Sequence, residues 1–327
     1  MKRYVIKRIL LIIPVVIIVA ILVFTIMYFC PGDPVSVILG GHASDIEIAA
    51  KRAEMGFDDP YILQLVRFLF NFFIKGDLGR SYITDQSVIE VIMARFPRTL
   101  IFSLACIILS VIIGIPLGMV AAVHRNSWGD RISMIFALIG SSLPNFWLAL
   151  QLVIIFALRL GWLPAYGIGG IKYYILPIMA ASLDGIAQEA RQTRSSMLEV
   201  IRSDYVTTAR AKGIPERKIL IRHVLPNALI PVIQTMGNIF ARSLGGALLI
   251  ETVFSIPGMG VYLQTGIANR DYPVVRGSVV FLAVVFSIVM LLVDIAFAYI
   301  DPRIKAQYEN HGKKNTLSPG RQQKGGA

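Results

Sequence analysis

"DYVTTARAKGIPERKILIRHVLPNA", residues 204–228, is a basic stretch inside a chain that is mostly apolar. Ser203 or Asp204 can cap the N-terminus of a helix, because a short polar side chain there accepts hydrogen bonds from backbone N–H groups. Gly213 suits the left-handed position at which a helix ends. Pro215 suits the first turn of a second helix. The stretch therefore predicts two short helices separated by a bend.

The composition predicts that this stretch belongs to a membrane protein. Of the 327 residues, 55% are hydrophobic and only 16% are charged, whereas soluble domains carry about a quarter of charged residues. The apolar residues occur in blocks, which indicates an integral membrane protein. A net charge of +12 on a soluble protein would suggest nucleic acid as a partner. Here the charge follows the membrane topology, and we expect no nucleic-acid partner.

Six apolar segments are long enough to cross a hydrocarbon core of about 30 Å as helices. They are residues 9–29, 97–123, 132–160, 174–200, 227–254 and 277–300. The first exceeds the apolar core of about 7–15 residues that a signal peptide has, so we expect an uncleaved helix. We expect Pro226 to interrupt the helical pattern before the fifth segment.

The expected fold is an all-α integral membrane protein with six transmembrane helices and both termini in the cytoplasm. Lys and Arg concentrate between alternate segments, which the positive-inside rule places in the cytoplasm. The predicted regions are an N-terminal transmembrane helix at 1–30, a helical extracytoplasmic lid at 31–96, a five-helix core at 97–300 with a cytoplasmic loop at 201–223, and a basic cytoplasmic tail at 301–327 that is disordered from residue 309. This plan fits a multi-pass membrane protein.

Enzyme and metal-site motifs are absent from the sequence. It lacks GxSxG, HExxH and a phosphate-binding loop, so we expect no catalytic residue and no ATP hydrolysis by this chain. Cys30 and Cys106 lack CxxC spacing, and the four histidines lie far apart. The sequence therefore predicts neither a disulfide framework nor a metal site.

Polar residues recur at helical spacing inside three of the apolar segments, which places each set on one helix face. The sets are Ser141 and Asn145 on the third segment, Asp184, Gln188, Arg191 and Ser195 on the fourth, and Gln234, Asn238 and Arg242 on the fifth. Intramembrane polar groups are costly, so the three stripes predict a hydrated translocation path. The alternative is hydrogen bonding between helices without a solute.

Individual charges within these segments suggest different roles. Asp184 lies near mid-span, which favours a pathway role. Glu251 and Asp294 lie nearer the ends of their segments, where structural pairing is favoured.

The charge of residues 204–228 alone would fit an ordinary cytoplasmic loop. The predicted caps and bend indicate a further role, because a loop that only sets the orientation of the protein in the membrane does not need two defined helices. We therefore interpret the stretch as a docking element for a cytoplasmic partner.

The same stretch resembles the EAA motif of ATP-binding-cassette (ABC) importer permeases, Glu-Ala-Ala, three residues, Gly, nine residues, Ile, one residue, Leu-Pro. In this chain the first three positions of the motif are Thr207-Thr208-Ala209, and the glycine is Gly213. His223 stands at the isoleucine position, and the motif ends with Leu225-Pro226. The Glu, one Ala and the Ile of the general motif are therefore absent.

The resemblance is closer to the permeases of dipeptide, oligopeptide, glutathione and nickel importers, and to the first of their two permease subunits. The matching stretches are PGDP (31–34), GDLGRS (76–81), RQTRSSMLEVIRSDYVTTARAKG (191–213), IETVFSIPGMG (250–260), RDYPVVRG (270–277) and VDIAFAYIDPRI (293–304). They follow the family order and extend over nearly the whole chain.

The resemblance implies a type I importer permease of a bacterial or archaeal cytoplasmic membrane. It also implies that this permease pairs with a second related permease in the lipid bilayer. It also implies two ATPase subunits that bind ATP and Mg²⁺, and an extracytoplasmic binding protein that delivers short peptides. Glutathione or nickel chelates are alternative substrates of the same machine. With a peptide as the substrate, we expect Asp184 to attract its free amino end. The implied ATPase-coupling residues are Asp204, Tyr205, Thr208, Ala209, Arg210, Ala211, Lys212, Gly213, Glu216 and Arg217.

Two interpretations from other classes remain. One is a stand-alone channel or proton-coupled carrier that uses Asp184 or Glu189, and the other is a membrane scaffold. A carrier would transport solute without ATPase subunits, whereas a scaffold would not need polar stripes at mid-depth.

Overall fold

The computed structural model describes residues 2–39, 43–246 and 248–300, and within these ranges the regular elements are helices. The helices are α1 Lys2–Phe29, α2 Pro34–Leu39, α3 Asp45–Met55, α4 Tyr61–Lys75, α5 Val88–Val123, α6 Trp128–Ser142, α7 Asn145–Leu152, α8 Lys172–Ile201, α9 Asp204–Ala211, α10 Glu216–Ile219, α11 Leu225–Gly246, α12 Leu248–Val253, α13 Met259–Ala268 and α14 Tyr272–Ile300. Two π-helical segments, Val153–Arg159 and Leu220–Val224, extend α7 and join α10 to α11. The all-α prediction is confirmed, while the predicted tail 301–327 lies outside the described residues.

Four helical runs in the described residues are long and apolar enough to cross a membrane. They are Arg8–Phe29, Val88–Val123, Glu216–Gly245 and Tyr272–Phe297. The bent pair α6–α7 supplies a fifth if its two parts count as one span. α8 has 30 residues but carries charged side chains along its length. The count of six spans and the side of the termini stay predictions.

The third predicted segment, 132–160, is not one straight helix. α6 and the α7 run meet at an angle of 99°. Pro144 stands between them and holds Leu143 in an extended conformation, with φ −83° and ψ 129°, because a residue before proline avoids the helical region. Ser141 and Asn145 therefore lie on different helices, and the prediction that they share one helix face is wrong.

Pro226 does not interrupt the helix, contrary to the prediction. It lies at the second position of α11, and the π-helical turn Leu220–Val224 precedes it directly. A proline lacks the N–H that an α-helix requires, and the wider π turn accommodates that loss. The run from Glu216 to Gly245 is therefore continuous and connects α10 directly to α11.

α8 is the central helix of the core. It packs along α5 and also contacts α6, α7 and α11. One buried cluster joins α5, α8 and α12 through Phe102, Cys106, Leu176, Ile250 and Phe254. This packing fixes the rotation of α8 and therefore the direction of its polar stripe.

Residues 31–96 contain the helices α2, α3 and α4. α3 begins with a capping box in which the Ser44 hydroxyl accepts from the Glu47 N–H while the Glu47 carboxylate accepts from the Ser44 N–H. α4 packs Phe68 and Phe72 against the buried cluster of α1 and α14. Helices are thus present in the predicted lid, and its position outside the membrane stays a prediction.

Candidate functional site

The basic stretch forms the predicted pair of short helices. α9 begins after Ser203 in an extended conformation, and α10 begins after Pro215. Gly213 has φ +72°, the left-handed conformation that favours glycine. Ser203 occupies the cap position, but its hydroxyl donates to the carbonyl of Val200 over 2.6 Å instead of accepting from α9. The bend between α9 and α10 is confirmed, and the side-chain cap is replaced by this local bond.

A small apolar core holds the α9–α10 pair against α8 and α11. Val206 and Ala209 of α9 and Ile219 of α10 are buried together with Met197 and Val224. Ala209 therefore faces the interior, although the resemblance placed it among the coupling residues. The other predicted coupling residues are exposed, namely Asp204, Tyr205, Thr208, Arg210, Ala211, Lys212, Gly213, Glu216 and Arg217.

A bidentate ion pair links α9 to α10 on the exposed side. Arg210 donates through Nε and Nη2 to Glu216 over 3.0 Å and 2.6 Å. An exposed pair adds about 0–1 kcal/mol to stability, so its main effect is to restrict the angle between the helices. The α9–α10 pair is thus a folded projection with one buried and one exposed face.

A polar cavity of about 690 Å³ lies between α8 and α11, with α14 at its edge. Its lining combines charged, amide, hydroxyl and aromatic side chains, namely Gln188, Arg191, Gln192, Ser195, Thr235, Asn238, Arg242 and Phe286. Five of these belong to the stripes on α8 and α11 that the sequence predicted as a path. The tertiary structure brings these two stripes together.

A hydrogen-bonded relay crosses from α8 to α11. The Gln188 amide donates to Asp184 Oδ2 over 2.6 Å. The Gln188 oxygen in turn accepts from Arg242 Nη2 over 2.8 Å. Asp184 is not among the cavity's lining residues, so its carboxylate orients Gln188 and, through it, Arg242.

Arg191 connects the cavity to α6. Its Nη1 donates to the Ala137 carbonyl over 3.0 Å and to the Ser141 hydroxyl over 3.1 Å. Ser141 therefore reaches the α8 stripe, whereas Asn145 begins α7 beyond the bend. Gln234 is exposed on α11 and is not part of the cavity lining.

Three lining residues were not predicted from the sequence: Gln192, Thr235 and Phe286. Gln192 follows Gln188 by four residues, so a wider helical stripe would have included it. Thr235 and Phe286 carry no such signal, because their place in the lining depends on how α11 and α14 pack.

Glu251 and Asp294 have structural partners, as predicted. Buried Glu251 accepts from the Thr99 hydroxyl over 2.6 Å and from the N–H groups of Gly260 and Val261 over 2.8 Å and 3.2 Å. Its carboxylate thereby caps α13, which explains the acidic residue ahead of the IPGMG turn. Asp294 pairs with Arg8 over 2.8 Å and joins α14 to α1.

Two protein-family models cover most of this chain. Residues 114–306 match the binding-protein-dependent transport system inner membrane component. Residues 1–105 match the N-terminal membrane component of the same systems. The chain belongs to this family of inner-membrane permeases. It is the permease component of a binding-protein-dependent ABC importer, which works with ATPase and substrate-binding partners.

Curated relatives of this permease match over almost their whole length. A putative peptide transport system permease of Brucella abortus is 41% identical, with 93% of this chain and 99% of the relative covered. The dipeptide transport system permease protein DppB of Alkalihalophilus pseudofirmus is 40% identical, with 93% and 100% covered. The glutathione transport system permease protein GsiC of Salmonella paratyphi A is 40% identical, with 93% and 99% covered. The predicted family and branch are confirmed.

The permease also resembles a solved structure, the inward-facing MetNI methionine ABC transporter. The TM-score is 0.57 at 18% identity, with 65% of this chain and 97% of that chain covered. The likeness supports the type I importer permease fold that the sequence resemblance implied.

Proposed function

We propose that this permease forms the translocation path for short peptides that an extracytoplasmic binding protein delivers. It pairs with a second related permease in the lipid bilayer. Two ATPase subunits bind ATP and Mg²⁺ and seat the α9–α10 pair. Glutathione and nickel chelates are alternative substrates of the same machine.

One observation supports this mechanism above the others. α9 follows the end of α8 after two residues, and α10 continues into α11 through the π-helical turn. α8 and α11 also carry most of the polar cavity. A displacement of the α9–α10 pair is therefore transmitted along two rigid helices to both walls of the cavity, and nucleotide binding can bias a two-state bundle in this way.

The substrate class rests on the relatives and on the cavity. The relatives carry the names of peptide, dipeptide and glutathione permeases. All three solutes present amide groups and charged ends, which suit a lining of amides, hydroxyls and guanidinium groups. A proton-coupled carrier is less well supported, because the chain belongs to a family of binding-protein-dependent permeases and because neither Asp184 nor Glu189 lines the cavity between α8 and α11.

Replacing Gly213 with leucine should weaken the coupling between the permease and its ATPase subunits. A side chain in the left-handed conformation costs about 1–2 kcal/mol, which corresponds to about tenfold in an equilibrium. Leucine would also project from the exposed face of the α9–α10 pair. We expect uptake and binding-protein-stimulated ATPase activity of the reconstituted importer each to fall at least about tenfold.

Gly161→Leu is the matched control for this experiment. Gly161 has φ +64° and, like Gly213, no atom within 4 Å of an added Cβ, but it lies before α8 and away from the α9–α10 pair. The control should retain both activities. Equal activity of the two variants would contradict the coupling role, and uptake by the purified permease without ATPase subunits would favour the carrier.

A further inference from the structure

We propose that the cavity between α8 and α11 binds the carboxylate end of the transported peptide through Arg191 and Arg242. The inference rests on the proposed function and specifies how the path recognises its substrate. It also reverses the expected role of Asp184, which would have attracted the amino end.

The cavity lining has a strong charge imbalance. It includes two arginines, Arg191 and Arg242, and no aspartate or glutamate. The remaining members are amides, hydroxyls and one phenylalanine. Ionisable groups within membrane proteins are costly and mark substrate pathways. A surplus of two positive charges therefore favours an anionic group on the solute.

The hydrogen bonds of both arginines go to neutral acceptors. Arg242 donates to the Gln188 amide oxygen, and Arg191 donates to the Ala137 carbonyl and the Ser141 hydroxyl. Neither is a member of an ion pair among the described residues. A guanidinium has five N–H donors, and these bonds occupy one nitrogen of each arginine. Donors and positive charge thus remain for a ligand.

A neighbouring arginine on α8 shows the contrast. Arg194 donates to both carboxylate oxygens of Asp130, over 2.6 Å and 2.8 Å. Its charge is thereby compensated within the chain. α8 therefore carries two arginines in different roles. Arg194 belongs to a structural ion pair, whereas Arg191, one turn earlier, belongs to no ion pair among the described residues.

The relay holds Arg242 in place before a ligand arrives. Asp184 orients Gln188, and Gln188 accepts from Arg242. A donor that is already oriented loses less rotational freedom on binding, which favours affinity. Asp184 is therefore a positioning residue for Arg242.

Carboxylate is the ligand group that suits this arrangement. Guanidinium groups bind carboxylates through short, charge-assisted and often bidentate hydrogen bonds. A peptide has one α-carboxylate, and a peptide amide of the same sequence lacks it. Comparing the two solutes therefore tests for recognition of the carboxylate, since the peptide and its amide are nearly equal in size.

The test compares uptake of a dipeptide and its C-terminal amide by the importer reconstituted in liposomes. Binding-protein affinity for each solute is measured separately, and the loaded protein is added at saturation. Any remaining preference then belongs to the permease. We expect the wild type to import the acid at least about tenfold faster than the amide.

Variants of the two arginines should remove this preference. Arg242→Gln and Arg191→Gln should each lower uptake of the acid by about tenfold more than uptake of the amide. Arg242→Lys should retain part of the preference because it keeps the charge. Arg98→Gln is the control, since Arg98 on α5 also donates to a backbone carbonyl, that of Ala94, and is not a lining residue.

Asp184→Leu tests the relay. It should reduce the preference for the acid. In an Arg242→Gln background it should reduce this preference little further, because both changes disrupt the bond between Gln188 and Arg242. Independent, additive effects would show that Asp184 does not act through Arg242.

The outcomes separate this inference from the proposed function. Peptide uptake by the wild type without preference for the acid, or a preference that both glutamine variants retain, would overturn the carboxylate site alone. Absence of peptide uptake by the fully assembled importer would overturn the proposed function. ATPase stimulation by the binding protein confirms in each case that a variant has assembled.

Discussion

Replacing Gly118 with leucine should separate α5 from α8 and prevent the permease from reaching a stable fold. A Cβ at Gly118 would lie 2.5 Å from the Ala190 carbonyl and 2.6 Å from the Thr193 Cβ. Gly114, four residues earlier, approaches α8 in the same way, with the Ile186 carbonyl at 2.8 Å from an added Cβ. These neighbours include backbone atoms, so α8 itself would have to move.

The expected effect is large because close approach drives this contact in lipid. Transmembrane helices that present small residues at i and i+4 associate through backbone packing. Overpacking by one methyl group costs about 1–3 kcal/mol, so Gly118→Ala should lower the melting temperature and Gly118→Leu should abolish the folded fraction. Displacement of α8 would also move Gln188 and Arg191 away from α11.

Size-exclusion chromatography and thermal unfolding of the detergent-solubilised permease measure this effect. Gly245→Ala is the control, because an added Cβ at this exposed position of α11 meets no atom within 4 Å. It should leave the melting temperature unchanged or slightly raised, since alanine favours helix more than glycine does. An unchanged melting temperature in Gly118→Ala would contradict the close packing of α5 on α8.

Gly258→Ala should be the second strongly destabilising change. The added methyl group would overlap the Glu251 carboxylate. Expelling that carboxylate would break its bonds to Thr99, Gly260 and Val261. A buried polar group without a partner costs about 1–3 kcal/mol, in addition to the overpacking, so we expect a loss of about 3 kcal/mol or more.

A double-mutant cycle identifies the cause of this loss. Glu251→Ala should itself destabilise the permease, because the N–H groups at the start of α13 lose their acceptor. In that background Gly258→Ala should cost little, since the atoms it would overlap are gone. Thermal unfolding of the three variants measures the coupling, and additive losses would show that the methyl group meets something other than Glu251.

Local signals in the sequence predicted the α9–α10 pair correctly. The position of Ser203, the left-handed Gly213 and the proline before α10 each act on the backbone within a few residues. The hydrophobic segments likewise predicted the all-α fold, because segment length and apolar composition are local properties. The same reasoning failed at Pro226. There a π-helical turn allows the helix to continue through the proline, which the usual helix-breaking tendency of proline does not indicate.

The sequence predicted the polar stripes on α8 and α11 as separate helix faces. It did not predict that the two faces contact each other. The bond between Gln188 and Arg242 joins residues 54 positions apart, so it depends on how each helix is rotated. That rotation follows from the packing of Gly114 and Gly118 against α8. The Thr99–Glu251 bond depends on tertiary packing in the same way, across 152 positions.

The sequence by itself determined the membrane class, the family and the helix–bend–helix form of the α9–α10 pair, since these follow from composition, ordered motifs and local backbone preferences. Only the tertiary structure decided that Arg191 and Arg242 line one cavity and that Asp184 orients Gln188 behind it. The physical reason is that a helical stripe specifies which residues share a face, whereas packing between helices determines what that face meets.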